Sequence, residues 1–142
     1  LGDVYKRQAN ALIDRCVKAS VTNFPRIMNR LQGFGEDKQG FLDKLNRYDC
    51  LVIDDLGVER DTSYSVEQIY NVVDARSRSG KPLIVTTNLS LDDLRNPSSM
   101  GYARIYDRVL EMCPIKLKLA GESRRTVNAA ARRDRAKEIL GM

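Results

Sequence analysis

Leu51-Val52-Ile53 is a short apolar run that stops at two adjacent carboxylates, Asp54-Asp55, followed by Leu56-Gly57. A buried strand has no use for charge. The run therefore predicts a strand with both aspartates at its C-terminal tip, where backbone meets solvent. In open α/β sheets that edge is where ligands bind. Two carboxylates there can hold Mg²⁺ and position a water for phosphoryl transfer. The competing reading is an ordinary strand-to-loop junction.

A phosphate-handling site of this kind also needs a Gly-x-x-x-x-Gly-Lys-Ser/Thr loop, whose backbone N–H groups cradle the phosphates. The 142 residues contain none. Gly80-Lys81 is followed by Pro82, which has neither a backbone N–H nor a hydroxyl to offer. The chain starts at Leu1, and residues 1–8 share no pattern with the rest of the chain. They read as a non-native scar, or as a plain polar tail, ahead of a fragment that has lost its upstream part.

Beyond residue 8 the chain alternates helical and strand-like segments. Residues 9–16 read as the end of a helix and Val17–Thr22 as a strand. Pro25 suits the first turn of a helix that carries Ile27, Met28 and Leu31 on one face and stops at Gly33. Residues 34–39 read as a loop, and Phe41, Leu42 and Leu45 mark a short helix. Ser65 with Gln68 reads as a capping box, ahead of Val66, Ile69, Tyr70 and Val73 at helical spacing. Arg76 and Arg78 fall in that helix's last turn, before Gly80. Leu83–Thr87 is a second apolar strand, ending at Asn88. Ser90–Leu94 reads as a helical turn, and Tyr102, Tyr106, Val109 and Leu110 as a helix closed before Pro114. Residues 115–119 alternate apolar residues with lysine and predict a half-exposed strand. Ser123 is a candidate cap for a final helix running to Leu140. The alternation predicts an α/β fold with a mostly parallel sheet.

Composition excludes several chemistries. Histidine is absent, which removes Ser-His and Cys-His catalysis and imidazole metal sites. Cys16, Cys50 and Cys113 are widely spaced and odd in number, which argues for reduced thiols and against a disulfide framework or zinc site. No run has the length of a membrane span, and no signal peptide is visible. The expectation is a cytoplasmic protein without a membrane partner. The net charge of +5 is carried by one end: residues 101–142 hold 10 Lys+Arg against 5 Asp+Glu, and residues 1–100 hold 14 of each. A basic end can meet the phosphates of nucleic acid or nucleotide, or be a solvated helix face.

Three stretches carry a resemblance. They are Tyr48-Asp49-Cys50-Leu51-Val52-Ile53-Asp54-Asp55-Leu56-Gly57, Ser79-Gly80-Lys81-Pro82-Leu83-Ile84-Val85-Thr86-Thr87-Asn88-Leu89, and Ala103-Arg104-Ile105-Tyr106-Asp107-Arg108. Together they resemble the AAA+ ATPases, and within them the DnaC/IstB-like group of replicative helicase loaders and transposition helper ATPases. The resemblance covers roughly residues 9–140. It implies a P-loop NTPase-type parallel sheet with flanking helices and strand order 5-1-4-3-2. Strand one and the phosphate loop would be missing, so residues 9–142 would be a partial ATPase domain.

Residue roles come from the resemblance alone. Asp54 looks like the Walker B carboxylate that reaches Mg²⁺, and Asp55 like the group that polarises the attacking water. Asn88 looks like sensor 1, against the alternative that it caps the turn into Ser90. Arg108 looks like an arginine finger given to a neighbouring subunit, with Arg104 the competing candidate. Their alternative is a solvated pair beside Asp107 and Glu111. Arg125, with Arg124 as alternate, sits where a sensor 2 arginine contacts γ-phosphate. The resemblance implies ATP and Mg²⁺ as cofactors, and a homo-oligomer acting on a replicative helicase and single-stranded DNA. The ATPase activity would belong to a full-length parent. An IstB-like transposition role, and a non-catalytic interaction role for the 142 residues alone, are the other readings.

Overall fold

The computed structural model describes residues 17–33, 37–57 and 62–118, with isolated positions at 7, 10, 11, 14, 15 and 135. The elements are β1 (Ala19–Thr22), α1 (Phe24–Gln32), α2 (Lys38–Arg47), β2 (Cys50–Leu56), α3 (Ser63–Ser79), β3 (Leu83–Thr87), α4 (Leu91–Arg95) and α5 (Met100–Met112). The three strands form one parallel sheet in the order β1-β2-β3. This is the adjacency that the order 5-1-4-3-2 gives its second, third and fourth strands.

Local chemistry accounts for the helix boundaries. Asn23 caps α1 by accepting from the Arg26 N–H at 2.9 Å, with Pro25 in the first turn. Asp37 accepts from the N–H groups of Gln39 and Gly40, so α2 begins at Lys38, inside the expected loop. Gly80 closes α3 at φ 67°, a left-handed position that glycine occupies without strain.

The cap of α3 is Thr62, not Ser65. Thr62 Oγ1 accepts from the Ser65 N–H at 3.2 Å and donates to Ser65 Oγ at 2.8 Å. Ser65 has the right chemistry but stands three residues inside the helix, and both it and Gln68 are buried.

One face of the sheet builds the main core. Leu51, Ile53 and Leu56 of β2 and Leu83 of β3 pack with Phe24, Ile27 and Leu31 of α1 and Ile69, Val72 and Val73 of α3. Tyr102, Ile105, Tyr106 and Val109 of α5 complete it. Burying each such side chain is worth about 1.5–3 kcal/mol. Cys50 and Val52, on the other face of β2, are buried too.

Arg76 is the largest fully buried side chain among the described residues. It donates to the carbonyls of Tyr48 (2.9 Å), Asp49 (3.2 Å) and Pro82 (2.7 Å), lashing α3 to the starts of β2 and β3. The expected dipole-facing arginine is thus a rivet in the base of the sheet. Arg78 is the exposed one, paired with Asp74 at 3.0 Å. Lys81 Nζ donates to the Asn46 carbonyl at 2.8 Å, at the last turn of α2. It lies at the edge of the sheet opposite the aspartates.

The expected strand at 115–119 is not formed. Residues 115–118 have no regular structure, and Ile115 and Leu117 are 81% and 75% exposed. Strand geometry needs a hydrogen-bonding neighbour, and the described sheet ends at β3. Residue 119 and the expected final helix from Ser123 to Leu140 lie outside the described residues. Of the expected helix over 9–16, Asn10, Ala11 and Asp14 are helical.

Candidate functional site

The strand β2 does not stop at its carboxylates, as expected, but runs through them to Leu56. Ile53 pairs with Val85 and Leu56 pairs with Thr87. Two residues, Asp54 and Asp55, therefore stand opposite one, Thr86. This is a β-bulge. Its signature is in the core: Ile53 and Leu56, three apart, both face inward, where a regular strand would alternate with a period of two. The extra residue lets two carboxylates sit side by side between inward-facing neighbours, so neither is driven into the core.

Asp55 bears the conformational cost. Its φ is 58°, the one positive value outside glycine among the described residues. Aspartate tolerates this left-handed region better than most side chains. The Asp55 side chain is exposed and that of Asp54 is half-buried. Gly57 comes next but one at φ 101°, and a Cβ there would come within 2.7 Å of the Leu89 side chain. The loop after β2 and the loop after β3 therefore touch at a position only glycine can fill.

Two threonines of β3 hold the bulge. Thr86 Oγ1 donates to Asp54 Oδ1 at 2.6 Å and accepts from the Asp55 N–H at 3.0 Å. Thr87 Oγ1 donates to the Leu56 carbonyl at 2.7 Å and accepts from the Leu89 N–H at 3.1 Å. The sequence reading singles out neither threonine. The available signal is a pair of hydroxyls at the tip of the strand next to the carboxylates.

Asn88 comes directly after β3 and is exposed. The capping role that competed for it is taken by others. Thr87 holds the turn, and Ser90 caps α4 in a reciprocal capping box with Asp93. Those hydrogen bonds also hold the Asp93 carboxyl below its usual range. Because β2 and β3 are parallel neighbours, Asn88 and the aspartates lie at the same C-terminal edge.

The two arginines of α5 differ. Arg108 donates to Glu111 at 3.0 Å and reaches Asp74 of α3 at 3.4 Å. The Glu111 hydrogen bond and charge push its pKa up from the ordinary value. Arg104 is exposed and makes no ion pair among the described residues. Arg124 and Arg125 lie outside the described residues. No group of three or more acidic or thiol side chains able to hold a metal by themselves is found among the described residues.

The described residues form a three-stranded parallel sheet with flanking helices, whose C-terminal edge carries a carboxylate pair on one strand and an amide after the next. No protein-family profile matches the chain. It is 31% identical over 116 residues to the phage-like element PBSX protein XkdC of Bacillus subtilis (strain 168), covering 74% of this chain and 40% of that protein. It is 33% identical over 75 residues to the replicative helicase loader DnaC of Escherichia coli (strain K12), covering 53% and 29%. A crystal structure of the DnaC helicase loader superposes with a TM-score of 0.54 at 26% identity, covering 71% of this chain and 61% of that one. The chain has a DnaC-like AAA+ fold. It spans well under half the length of the curated relatives it matches.

Proposed function

We propose that these residues form part of an ATPase that acts in replication as a helicase loader of the DnaC type. The observation that carries this reading is the shared C-terminal edge of β2 and β3, which gathers Asp54, Asp55 and Asn88. Similarity to DnaC supports the loader assignment over other uses of the fold. The phosphate loop is not among the 142 residues. Hydrolysis is therefore assigned to a longer parent that contains these residues together with such a loop.

In that parent Asp54 would hold Mg²⁺ against the ATP phosphates. The metal, when bound, neutralises charge developing on them. Asp55, exposed on the bulge, would orient and polarise the attacking water, and Asn88 would help to position it. An arginine from α5 of a neighbouring subunit would stabilise transition-state charge. Arg104 is free to do so. Arg108 would first have to leave Asp74 and Glu111. Arg125 or Arg124 would contact the nucleotide from the subunit's own C-terminal part. An arginine acting in trans requires a homo-oligomer, and the loader reading adds a cytoplasmic location, a replicative helicase and single-stranded DNA as partners. No described helix is long and apolar enough to cross a membrane.

The test is loading of a replicative helicase onto single-stranded DNA by the parent, with and without ATP. The parent should bind the helicase and promote loading. Asp54→Asn should abolish ATP hydrolysis. A parent that neither binds the helicase nor hydrolyses ATP would overturn the reading.

A further inference from the structure

We propose that Thr86 is a positioning residue for the metal-holding carboxylate, acting through Asp54 and not on the nucleotide. The inference rests on the Walker B assignment of Asp54 and extends it to the neighbouring strand.

The geometry is specific. A single hydroxyl, Thr86 Oγ1, serves both carboxylate-bearing residues at once. Its hydrogen goes to Asp54 Oδ1 at 2.6 Å, and its lone pair takes the Asp55 N–H at 3.0 Å. The first bond fixes the orientation of the Asp54 carboxylate. The second satisfies the backbone N–H that the bulge removes from the ladder. A bulged residue is left unpaired by the strand opposite, and here the opposing side chain replaces the lost backbone partner. Thr86 is also the one residue that two residues of β2 face, so no other position of β3 can make both bonds.

Loss of a group that orients a metal ligand typically costs 10- to 100-fold in metal affinity or activity. Valine matches threonine in shape but lacks the hydroxyl. Serine keeps the hydroxyl and lacks the methyl. The two substitutions therefore separate hydrogen bonding from packing.

The experiment measures ATPase rate against Mg²⁺ concentration at fixed ATP in the parent, beside nucleotide binding in EDTA. Thr86→Val should raise the Mg²⁺ concentration for half-maximal rate by about 10-fold or more. Metal-free nucleotide affinity should stay within about twofold of the parent's, and Thr86→Ser should restore the parental Mg²⁺ curve. Thr86→Ala, which adds no bulk, must reproduce the valine shift if valine disturbs folding. Asp54→Asn separates the two assignments. If it leaves hydrolysis intact, the Walker B reading itself fails. If it abolishes hydrolysis while Thr86→Val and Thr86→Ala keep the parental Mg²⁺ dependence, Thr86 is not a positioning residue. An equal loss in the serine variant would assign the effect to packing and overturn the proposal.

Discussion

Arg108 on α5 reaches across to Asp74 on α3, with its Nη2 3.4 Å from Asp74 Oδ1, while Nη1 holds Glu111 at 3.0 Å. A side chain held by two carboxylates is not idle. It has to exchange them for a phosphate before it can serve a neighbouring subunit. Arg104, one turn earlier, has no such obligation.

Subunit mixing distinguishes the two arginines. Inactive Asp54→Ala subunits mixed with Arg104→Ala or Arg108→Ala subunits should recover activity wherever the arginine acts in trans. A transferred arginine is worth roughly 10³ to 10⁵ in rate, so partial recovery will be plain. The variant that shows no complementation, while still oligomeric, does not remove the finger. Asp74→Asn should speed the parent if release of Arg108 limits turnover, and leave it unchanged if Arg104 is the finger.

Asp55→Asn should keep ATP binding and lose turnover in the parent by about 10² or more, the scale of one general base. Asparagine accepts the left-handed backbone of residue 55 as readily as aspartate does. The thermal midpoint should therefore hardly move. Parental turnover in this variant would refute the role given to Asp55.

Arg76→Met should destabilise the domain by about 3–4 kcal/mol, from four hydrogen bonds to three carbonyls at about 1 kcal/mol each. Arg76→Lys should recover less than half, since a single ammonium cannot fork to all three. Chemical denaturation of the variants gives the answer. A loss under about 0.5 kcal/mol in Arg76→Met, the range of ordinary surface changes, would mean the rivet is ornamental.

Cys113 should make stability fall at alkaline pH. Burial pushes its thiol up from the ordinary value, partly offset by Lys116, and the thiol donates to the Leu83 carbonyl at 3.4 Å. Since the folded pKa is raised, the contribution is complete below the unfolded value of about 8.5. It is lost as pH rises through the folded one. The difference in denaturation midpoint between the parental protein and Cys113→Ala should shrink between pH 7 and pH 10. A constant difference would show that the thiol does not titrate in that window.

The elements legible in the sequence are those set by local pattern. The apolar runs of β2 and β3, the 3.6-residue spacing of α3 and α5, and the Gly80 stop all stand where the structure has them. What is hidden depends on partners distant in sequence. Arg76 is 27 or 28 residues from two of the carbonyls it holds, and looks like any arginine near a helix end. Residues 115–118 have the alternation of a strand, but alternation supplies no neighbour. Thr62 and Ser65 are both good caps, and only packing of Ser65 and Gln68 into the interior chooses between them. The site is half legible. Asp54, Asp55 and Asn88 can be placed at one sheet edge from the strand pattern, whereas the bulge leaves only the three-residue spacing of Ile53 and Leu56 as its trace.

That spacing sets how the stretch would answer a change of length. Substituting either aspartate changes chemistry and leaves the count of residues intact. Deleting either one would bring Leu56 to two residues after Ile53, and the ordinary alternation of a strand would then keep both in the core. Leu56, only 2% exposed, would stay buried, and what would vanish is the bulge and the second carboxylate. The interior is therefore indifferent to the length of the motif, and the extra residue serves only to set two carboxylates side by side.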